Sequence, residues 1–267
     1  MKKIKSRQRT HEENFQAFVG IVRRLRKECP WDREQTHESI RHSLIEETYE
    51  AIESIDEHRF DELQCELGDI LLHIVLHSVM AEEEQQFTID DVIESITEKM
   101  IRRHPHVFGN VEVSGTNDIL RNWEQIKLTE GRRSVLDGVP KNMPALMRAH
   151  RIQEKASKVG FDWNNKKDVW KKVEEEMNEL MHAERSKKPK HIQEEFGDIL
   201  FSLVNYARFI GVNSEFALKA ATDKFTKRFN KIEEELKRRN KKIGSVPLDE
   251  LDAIWNQHKK SVRRGKG

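Results

Sequence analysis

The chain contains two copies of one sequence pattern, and this duplication constrains its fold more than any other feature. Residues 46–78 align without a gap on residues 175–207. Each copy is preceded by an amphipathic segment and an aromatic-acidic motif, and is followed by Lys-x-x-x-Arg and Trp-x-x-x-Lys motifs. Self-similarity of this kind indicates a repeated structural unit. The length of 267 residues is sufficient for two ordinary domains.

The spacing of apolar residues predicts that the repeated unit is helical. Apolar side chains recur three and four residues apart through four segments of the first copy: Glu13–Lys27, Glu38–Glu57, Asp61–Glu84 and Ile89–Arg103. Glycine and proline are sparse and cluster between the helical segments. We therefore expect an all-α protein with an N-terminal domain at residues 11–130, a linker at 131–143 and a C-terminal domain at 144–260.

The composition limits the class of protein. Lys and Arg number 48 and Asp and Glu number 47, so no net charge attracts the chain to nucleic acid or to an acidic membrane. The sequence shows neither a signal-peptide pattern nor an apolar stretch long enough to cross a bilayer, and two cysteines are too few for a disulfide framework. We expect a soluble, cytoplasmic protein. The low mean hydropathy of -0.81 leaves disorder as an alternative, although charge-rich amphipathic helices also explain it.

Each copy carries two acidic motifs, E-E-x-x-E and then E-x-G-D. Their acidic residues are Glu46, Glu47, Glu50, Glu66 and Asp69 in the first copy, and Glu175, Glu176, Glu179, Glu195 and Asp198 in the second. Residues three apart share a helix face, so each motif presents a pair of carboxylates. The pairs are symmetric about residue 58 in the first copy and residue 187 in the second. Hairpin turns at these positions would place Glu50 opposite Glu66, and Glu47 opposite Asp69.

Four carboxylates between two antiparallel helices repel one another, and this repulsion calls for a bound cation. Oxygen ligands suit Mg²⁺, with Mn²⁺ as a second possibility, whereas zinc favours histidine or cysteine. One alternative is a solvated acidic surface. Another is a di-iron helical bundle, but its Glu-x-x-His spacing occurs near a site only at Glu34 and His37, and Ser202 replaces His73 in the second copy. A magnesium cluster indicates phosphoryl chemistry.

Other nucleotide-hydrolysing classes lack support in the sequence. It contains no G-x-x-x-x-G-K-[ST] motif and no dinucleotide-binding glycine loop. Neither Cys29 nor Cys65 is repeated, which argues against a thiol nucleophile.

Basic and aromatic residues downstream of each acidic motif are candidates for nucleotide binding. The phosphate-binding candidates are Lys99, Arg103, Lys224 and Arg228, and the base-stacking candidates are Trp123 and Trp255, followed one turn later by Lys127 and Lys259. Ordinary surface charge and core packing are the alternatives for these residues. We expect Trp31 and Trp163 to pack in the core.

The two copies differ in the charge around the acidic motifs. Lys172 lies four residues before Glu176, on the same predicted helix face, where the first copy has Ser43. Lys190 and His191 add basic groups beside the second turn. Because cations favour binding of a polyphosphate, we expect the C-terminal site to be the more active one.

The ordered set of motifs resembles the MazG nucleoside triphosphate pyrophosphohydrolases. It comprises the acidic motifs, CPWD at 29–32, RRHPHVF at 102–108, VGFDW at 159–163 and the tandem arrangement, and it extends over residues 11–260. The resemblance implies tandem four-helix-type domains of the all-α NTP pyrophosphatase superfamily. It also implies a magnesium-dependent homodimer that hydrolyses NTPs and dNTPs between the α and β phosphates, releasing a nucleoside monophosphate and pyrophosphate.

The resemblance also assigns roles to residues at the matching positions. The implied magnesium ligands are Glu176, Glu179, Glu195 and Asp198, with counterparts Glu47, Glu50, Glu66 and Asp69. Lys224 and Arg228 would hold phosphates and Trp255 would contact the base, with Lys99, Arg103 and Trp123 as counterparts in the first copy. From their positions beside these residues, we add Glu175 to the catalytic set, and Lys172, Glu175 and Lys259 to the nucleotide-binding set. Spacing does not identify the general base, the preferred base or sugar, or the number of metal ions. The alternative function is a nucleotide-sensing or protein-interaction module that binds without turnover.

Overall fold

The computed structural model describes the backbone of residues 10–131 and 134–264, without the side chains of residues 117, 121, 124, 128 and 258–264. All regular structure in these residues is helical and no strand occurs among them. The prediction of an all-α fold is therefore confirmed. The chain divides into two compact units, at residues 1–113 and 114–267.

The first unit contains six described helices. They are α1 (His11–Glu28), α2 (Pro30–Glu34), α3 (His37–Asp56), α4 (Phe60–Glu83), α5 (Ile89–Arg103) and α6 (Pro105–Phe108). Threonine side chains at residues 10, 36 and 88 accept hydrogen bonds from the first turns of α1, α3 and α5, which explains why these helices begin where they do.

The second unit also contains six described α-helices. They are α7 (Thr116–Thr129), α8 (Ala145–Ser157), α9 (Lys166–Ser186), α10 (Pro189–Phe209), α11 (Ser214–Arg238) and α12 (Leu248–Arg264). The non-helical stretch at 109–115 separates α6 from α7, and the two units divide within it. This division precedes the linker expected at 131–143 and places α7 in the second unit. The domain borders taken from the sequence stay a prediction.

Both acidic hairpins turn at the positions that the sequence symmetry predicted. His58, between α3 and α4, has a φ of 57°, and Lys187, between α9 and α10, has a φ of 53°. A left-handed residue after a helix reverses the chain and allows the next helix to pack antiparallel. The two hairpins, α3–α4 and α9–α10, are the most closely paired helices of their units.

Helix α4 is central to the first unit, where it packs against α1, α3 and α5. Its buried side chains include Val75, Leu76 and Val79, which form one core with Val19 and Val22 of α1. Among the described helices, α4 alone is long and apolar enough to span a membrane, a criterion that a core helix also meets. Packing inside the unit accounts for only part of its apolar character, because 28% of this apolar stretch is buried and Leu67 and Ile74 are exposed.

A buried lysine ties an irregular segment of the second unit to α8. The Lys155 side chain is only 2% exposed, and its Nζ donates to the carbonyl oxygens of Val135 at 2.9 Å and Asp137 at 3.1 Å. The ammonium group therefore replaces backbone partners that the turn at 134–138 does not supply itself. Helix α8 packs in turn against α10 and α11.

Replacing Lys155 with methionine is expected to lower the free energy of unfolding by about 1–3 kcal/mol, because two carbonyl groups lose a charged donor. Urea unfolding monitored by circular dichroism measures this change. Lys171→Met is the matched control, since Lys171 is 74% exposed and pairs only at the surface with Asp168; its effect should stay within about 0.5 kcal/mol. Equal effects of the two substitutions would contradict the anchoring role of Lys155.

Candidate metal centre and adjoining cavity

Three carboxylates converge in the second hairpin. Oxygen atoms of Glu176 and Glu179 on α9 and of Glu195 on α10 lie within 4.8 Å of one another. Glu176 is buried, Glu195 is half-buried and Glu179 is exposed. Asp198, the fourth predicted ligand, lies outside this group of three but lines a cavity together with Glu176.

A similar cluster lies in the first hairpin but has a different membership. Here Glu47 of α3 converges with Glu66 and Asp69 of α4, again within 4.8 Å. Glu50 lies outside the group of three, although it interacts with Glu66 across the hairpin. The structure thus brings Glu47 to Asp69 and Glu50 to Glu66, as the symmetry about residue 58 predicted.

Crowding raises the pKa values of several of these carboxyl groups. The pKa of Glu47 is raised by loss of hydration and then by the nearby charges of Asp69 and Glu50. The pKa of Glu66 is raised by loss of hydration and by Glu50 and Glu47, and that of Glu179 by loss of hydration and by Glu176 and Glu195. Each cluster therefore has a deficit of positive charge that a divalent cation would supply.

The chemistry of the donors fits a hard cation. Each group of three offers carboxylate oxygens alone, with no histidine or cysteine among its members. Such ligands suit Mg²⁺ or Mn²⁺, whereas a zinc site normally includes nitrogen or sulfur donors.

Basic side chains surround the second cluster. The Nζ of Lys172 donates to Glu175 at 2.7 Å and contacts Glu176 at 2.8 Å, and these pairs raise the pKa of Lys172. On the facing helix, His191 Nδ1 is 3.1 Å from Glu195 Oε1. The difference in local charge between the copies is therefore present in the structure, with the ammonium group directly on a candidate metal ligand.

A cavity of about 350 Å³ adjoins this cluster. The charged groups next to the cluster belong to Lys172, Glu176 and Asp198. Its other walls include Leu136, Phe161, Trp163, Phe201, Asn205 and Arg208. A cavity of this size, with aromatic walls and a few charged groups at one end, has the character of a small-molecule site.

Arg208, Asp162 and Asn205 add a second set of charged and polar groups to the cavity wall. Arg208 Nη2 donates to Asp162 Oδ1 at 2.6 Å and to Asn205 Oδ1 at 2.8 Å. Asn205 is 3% exposed, so this contact fixes the orientation of an amide that is otherwise surrounded by protein. Three side chains from two separate segments thus form one hydrogen-bonded edge of the cavity.

The expectation that Trp31 and Trp163 pack in the core is wrong. Trp31 is 62% exposed, and Trp163 is 41% exposed and lines the cavity. Both follow short breaks in the helical pattern, where the chain runs over the surface instead of through the core. The GFDW motif was the available signal for this wall of the site, because it supplies Phe161, Asp162 and Trp163 together.

Several predicted nucleotide-binding residues do not line this cavity. The Arg228 guanidinium lies 5.4 Å from the ring centre of Trp255, which packs on a core that includes Ile254. Lys224 is exposed on the same helix as Arg228. The side chain of Lys259 lies outside the described residues.

The first-copy counterparts of these nucleotide-binding candidates lie on α5 and α7. Lys99 lines a groove of about 870 Å³ that includes residues of α1, α4 and α5, and Arg103 is half-buried at the end of α5. Lys127 Nζ lies 5.5 Å from the ring centre of Trp123, so the cation is on the ring that was expected to stack a base.

Comparison with known proteins gives a consistent result across the chain. The model of the MazG nucleotide pyrophosphohydrolase domain matches residues 35–108 and 165–235. The nucleoside triphosphate pyrophosphohydrolase/pyrophosphatase MazG of Thermotoga maritima is 46% identical over 92% of this chain and 95% of that protein. The nucleoside triphosphate pyrophosphohydrolase of Escherichia coli is 40% identical over 91% of this chain and 96% of that protein. YabN of Bacillus subtilis is 48% identical over 94% of this chain and 52% of that protein.

The raised pKa values predict how the metal-free protein responds to pH. A carboxyl group whose pKa is higher in the folded state stabilises the fold below its ordinary value of 4.5, and this contribution is lost as the pH rises through the raised pKa. In EDTA, we expect the Glu47→Gln/Glu66→Gln variant to lose less unfolding free energy than the wild type as the pH rises above 4.5. Urea unfolding at several pH values measures the difference.

Magnesium provides the control for this prediction. Saturating Mg²⁺ should flatten the pH dependence of the wild type more than that of the variant, because the variant keeps only the second cluster of candidate ligands intact. A steeper pH dependence in the variant than in the wild type would show that crowding in the first hairpin does not govern stability.

Proposed function

The chain belongs to the MazG family of nucleotide pyrophosphohydrolases, and we propose that its second unit hydrolyses NTPs and dNTPs at the α–β phosphoanhydride bond with Mg²⁺. The products would be a nucleoside monophosphate and pyrophosphate. The observation that supports this most strongly is the convergence of Glu176, Glu179 and Glu195 beside a cavity that Lys172 and Asp198 also line.

The proposed magnesium ligands are Glu176, Glu179, Glu195 and Asp198 in the second unit and Glu47, Glu50, Glu66 and Asp69 in the first. Bound Mg²⁺ supplies charge for the phosphate oxygens and lowers the pKa of a coordinated water. Manganese has the same preference for oxygen ligands and is the natural substitute.

Lys172 would exchange a carboxylate partner for a phosphate oxygen when substrate binds. It neutralises Glu175 and Glu176 in the structure described here, at 2.7 and 2.8 Å. If Glu176 held a metal ion, Lys172 would be available to pair with an oxygen of the polyphosphate. The catalytic set comprises the four ligands and Glu175, one of which would orient or deprotonate the attacking water.

The remaining binding residues are proposed from the family resemblance. They are Lys224, Arg228, Trp255 and Lys259 for the second unit, with Lys99, Arg103 and Trp123 as their first-copy counterparts. Exposed cations four residues apart on a helix can hold a phosphate group from two directions. Among the described side chains of the second unit, those of Lys224, Arg228 and Trp255 do not line the cavity beside the second acidic cluster.

We also propose that the protein is a cytoplasmic homodimer. Large apolar side chains are exposed along the outer faces of both hairpins, including Leu67 at 55% and Ile74 at 41% on α4, and Phe196 at 54% and Leu200 at 42% on α10. Rows of exposed apolar residues on rigid helices are typical of protein interfaces.

Separate assays for pyrophosphate and orthophosphate test the reaction. With single NTPs and Mg²⁺, we expect pyrophosphate and nucleoside monophosphate in equal amounts. Glu176→Gln should lower kcat by at least about 100-fold, since the metal contributes several kcal/mol to the transition state. Glu47→Gln is the matched substitution in the first unit and should have a much smaller effect.

Other outcomes would overturn parts of this proposal. Orthophosphate with nucleoside diphosphate would contradict cleavage between the α and β phosphates. Nucleotide binding without any product would favour the sensing module. A larger loss in Glu47→Gln than in Glu176→Gln would assign the active site to the first unit.

Two aromatic surfaces are available for the base, and substitution distinguishes them. We expect Trp163→Ala to raise KM by about tenfold with little change in kcat, because loss of stacking on a base costs on the order of 1–3 kcal/mol. Trp255→Ala should lower the melting temperature, since this ring packs on Ile254, and it raises KM as well if the surface implied by the family resemblance holds the base. Steady-state kinetics and thermal unfolding of both variants give the answer; a KM effect confined to Trp255→Ala would exclude the cavity as the base site.

A further inference from the structure

Three histidines lie together between α3 and α4, beyond the acidic cluster of the first hairpin. His37 is the first residue of α3, and His73 and His77 lie one turn apart on α4. The Nδ1 atoms of His37 and His77 are 2.7 Å apart, and the two ring planes are within 8° of parallel. The ring centre of His73 is 6.3 Å from that of His77.

The nitrogen atoms of this cluster are only partly satisfied. At 2.7 Å, one Nδ1 of the His37–His77 pair must carry the hydrogen and the other must accept it, so at least one ring is neutral. The ring centres are 5.0 Å apart, and the two Nδ1 atoms are 2.7 Å apart. These distances place the rings edge to edge, so that the two Nδ1 atoms point at each other. His73 Nδ1 is buried and has no hydrogen-bond partner. A buried polar atom without a partner is uncommon and suggests an absent ligand.

We propose that His37, His73 and His77 form a binding site for a transition-metal ion of the zinc class, separate from the two carboxylate clusters. Neutral imidazole is the preferred ligand of such ions. Two histidines four residues apart on one helix share a face and can chelate one ion, and His37 on the facing helix provides the third nitrogen. Three histidine ligands would leave a fourth tetrahedral position for water.

Binding requires all three rings to reorient, because their nitrogen atoms do not all lie within 4.8 Å of one another in the structure. The hydrogen shared by His37 and His77 moves to an Nε2 position, a change of tautomer without a change of charge, so that both Nδ1 lone pairs face the ion. Zinc–nitrogen bonds are about 2.0–2.1 Å long, so the two rings turn slightly apart from their 2.7 Å contact. The His73 ring turns towards the same point.

The second hairpin provides an internal contrast. The positions aligned with His37, His73 and His77 are Lys166, Ser202 and Tyr206. Tyr206 packs edge-on against Trp170 with ring centres 4.9 Å apart. The imidazole cluster is therefore a property of the first hairpin, whereas both hairpins retain carboxylate clusters. This inference does not depend on the proposed hydrolytic reaction.

Cobalt titration of the full-length protein tests the site. Metal-stripped protein is first saturated with Mg²⁺, so that the carboxylate clusters are occupied, and is then titrated with Co²⁺. We expect the intense visible absorption of four-coordinate, nitrogen-bound cobalt at one equivalent per chain, and its loss on addition of Zn²⁺. His37→Gln and His77→Gln should each weaken Co²⁺ binding by more than about tenfold.

Two variants are matched controls. His106→Gln removes a half-buried histidine outside the cluster, and Glu66→Gln disables the neighbouring acidic cluster; both should retain the cobalt spectrum. Circular dichroism establishes that each variant is folded. If the histidine variants fail to fold, X-ray absorption of the zinc-loaded wild type still gives the answer, because three imidazole ligands produce a distinctive scattering pattern.

The proposal is overturned by several results. A wild type without the intense absorption, or a cobalt spectrum unchanged in His37→Gln and His77→Gln, would show that the histidines form only a hydrogen-bonded pair. A zinc environment made of oxygen ligands in the X-ray absorption spectrum would assign the ion to the carboxylates instead.

Discussion

The structure depends on holding several carboxylates in contact between two antiparallel helices. Such a cluster opposes the packing of its own hairpin, as the raised pKa values of Glu47, Glu66 and Glu179 show. The opposing free energy is balanced on other helix faces. In the first hairpin, Val75 and Leu76 belong to a core shared with α1; in the second, α10 is held by its contacts with α8 and α9. The fold thus holds together carboxylates whose repulsion a bound cation would relieve.

The same constraint explains why part of this arrangement was readable from the sequence. Paired acidic motifs are useful only when they meet, so their symmetry locates the turns. His58 and Lys187 are indeed the left-handed residues of the two hairpins, although neither is a glycine or an asparagine. Residue propensities alone would not have selected these positions. The symmetry of the acidic motifs predicted the register of the two helices, because the carboxylates of one helix must face those of the other to form one cluster.

The sequence was less informative about which oxygens converge. The motifs are identical in both copies, yet Glu50 lies outside the first group of three and Asp198 outside the second. Side-chain torsions and local pairs, such as Lys172 with Glu176, decide these positions, and a spacing argument does not include them. The exposure of Trp163 was missed for a related reason. It lies in the irregular segment at 159–165, whose path helical periodicity does not predict.

Duplication allowed the two hairpins to diverge beside an element that both retain. In the second, Lys172 stands where the first has Ser43, and it brings a cation to the acidic cluster next to a cavity. In the first, the following turns of α4 carry His73 and His77 instead of Ser202 and Tyr206. Each change lies on the helix face that already bears the carboxylates, so it alters the chemistry of the interface without altering the turn. Because the hairpin geometry is set by the left-handed turn and the apolar core, the polar positions further along it are available for different ligands in each copy.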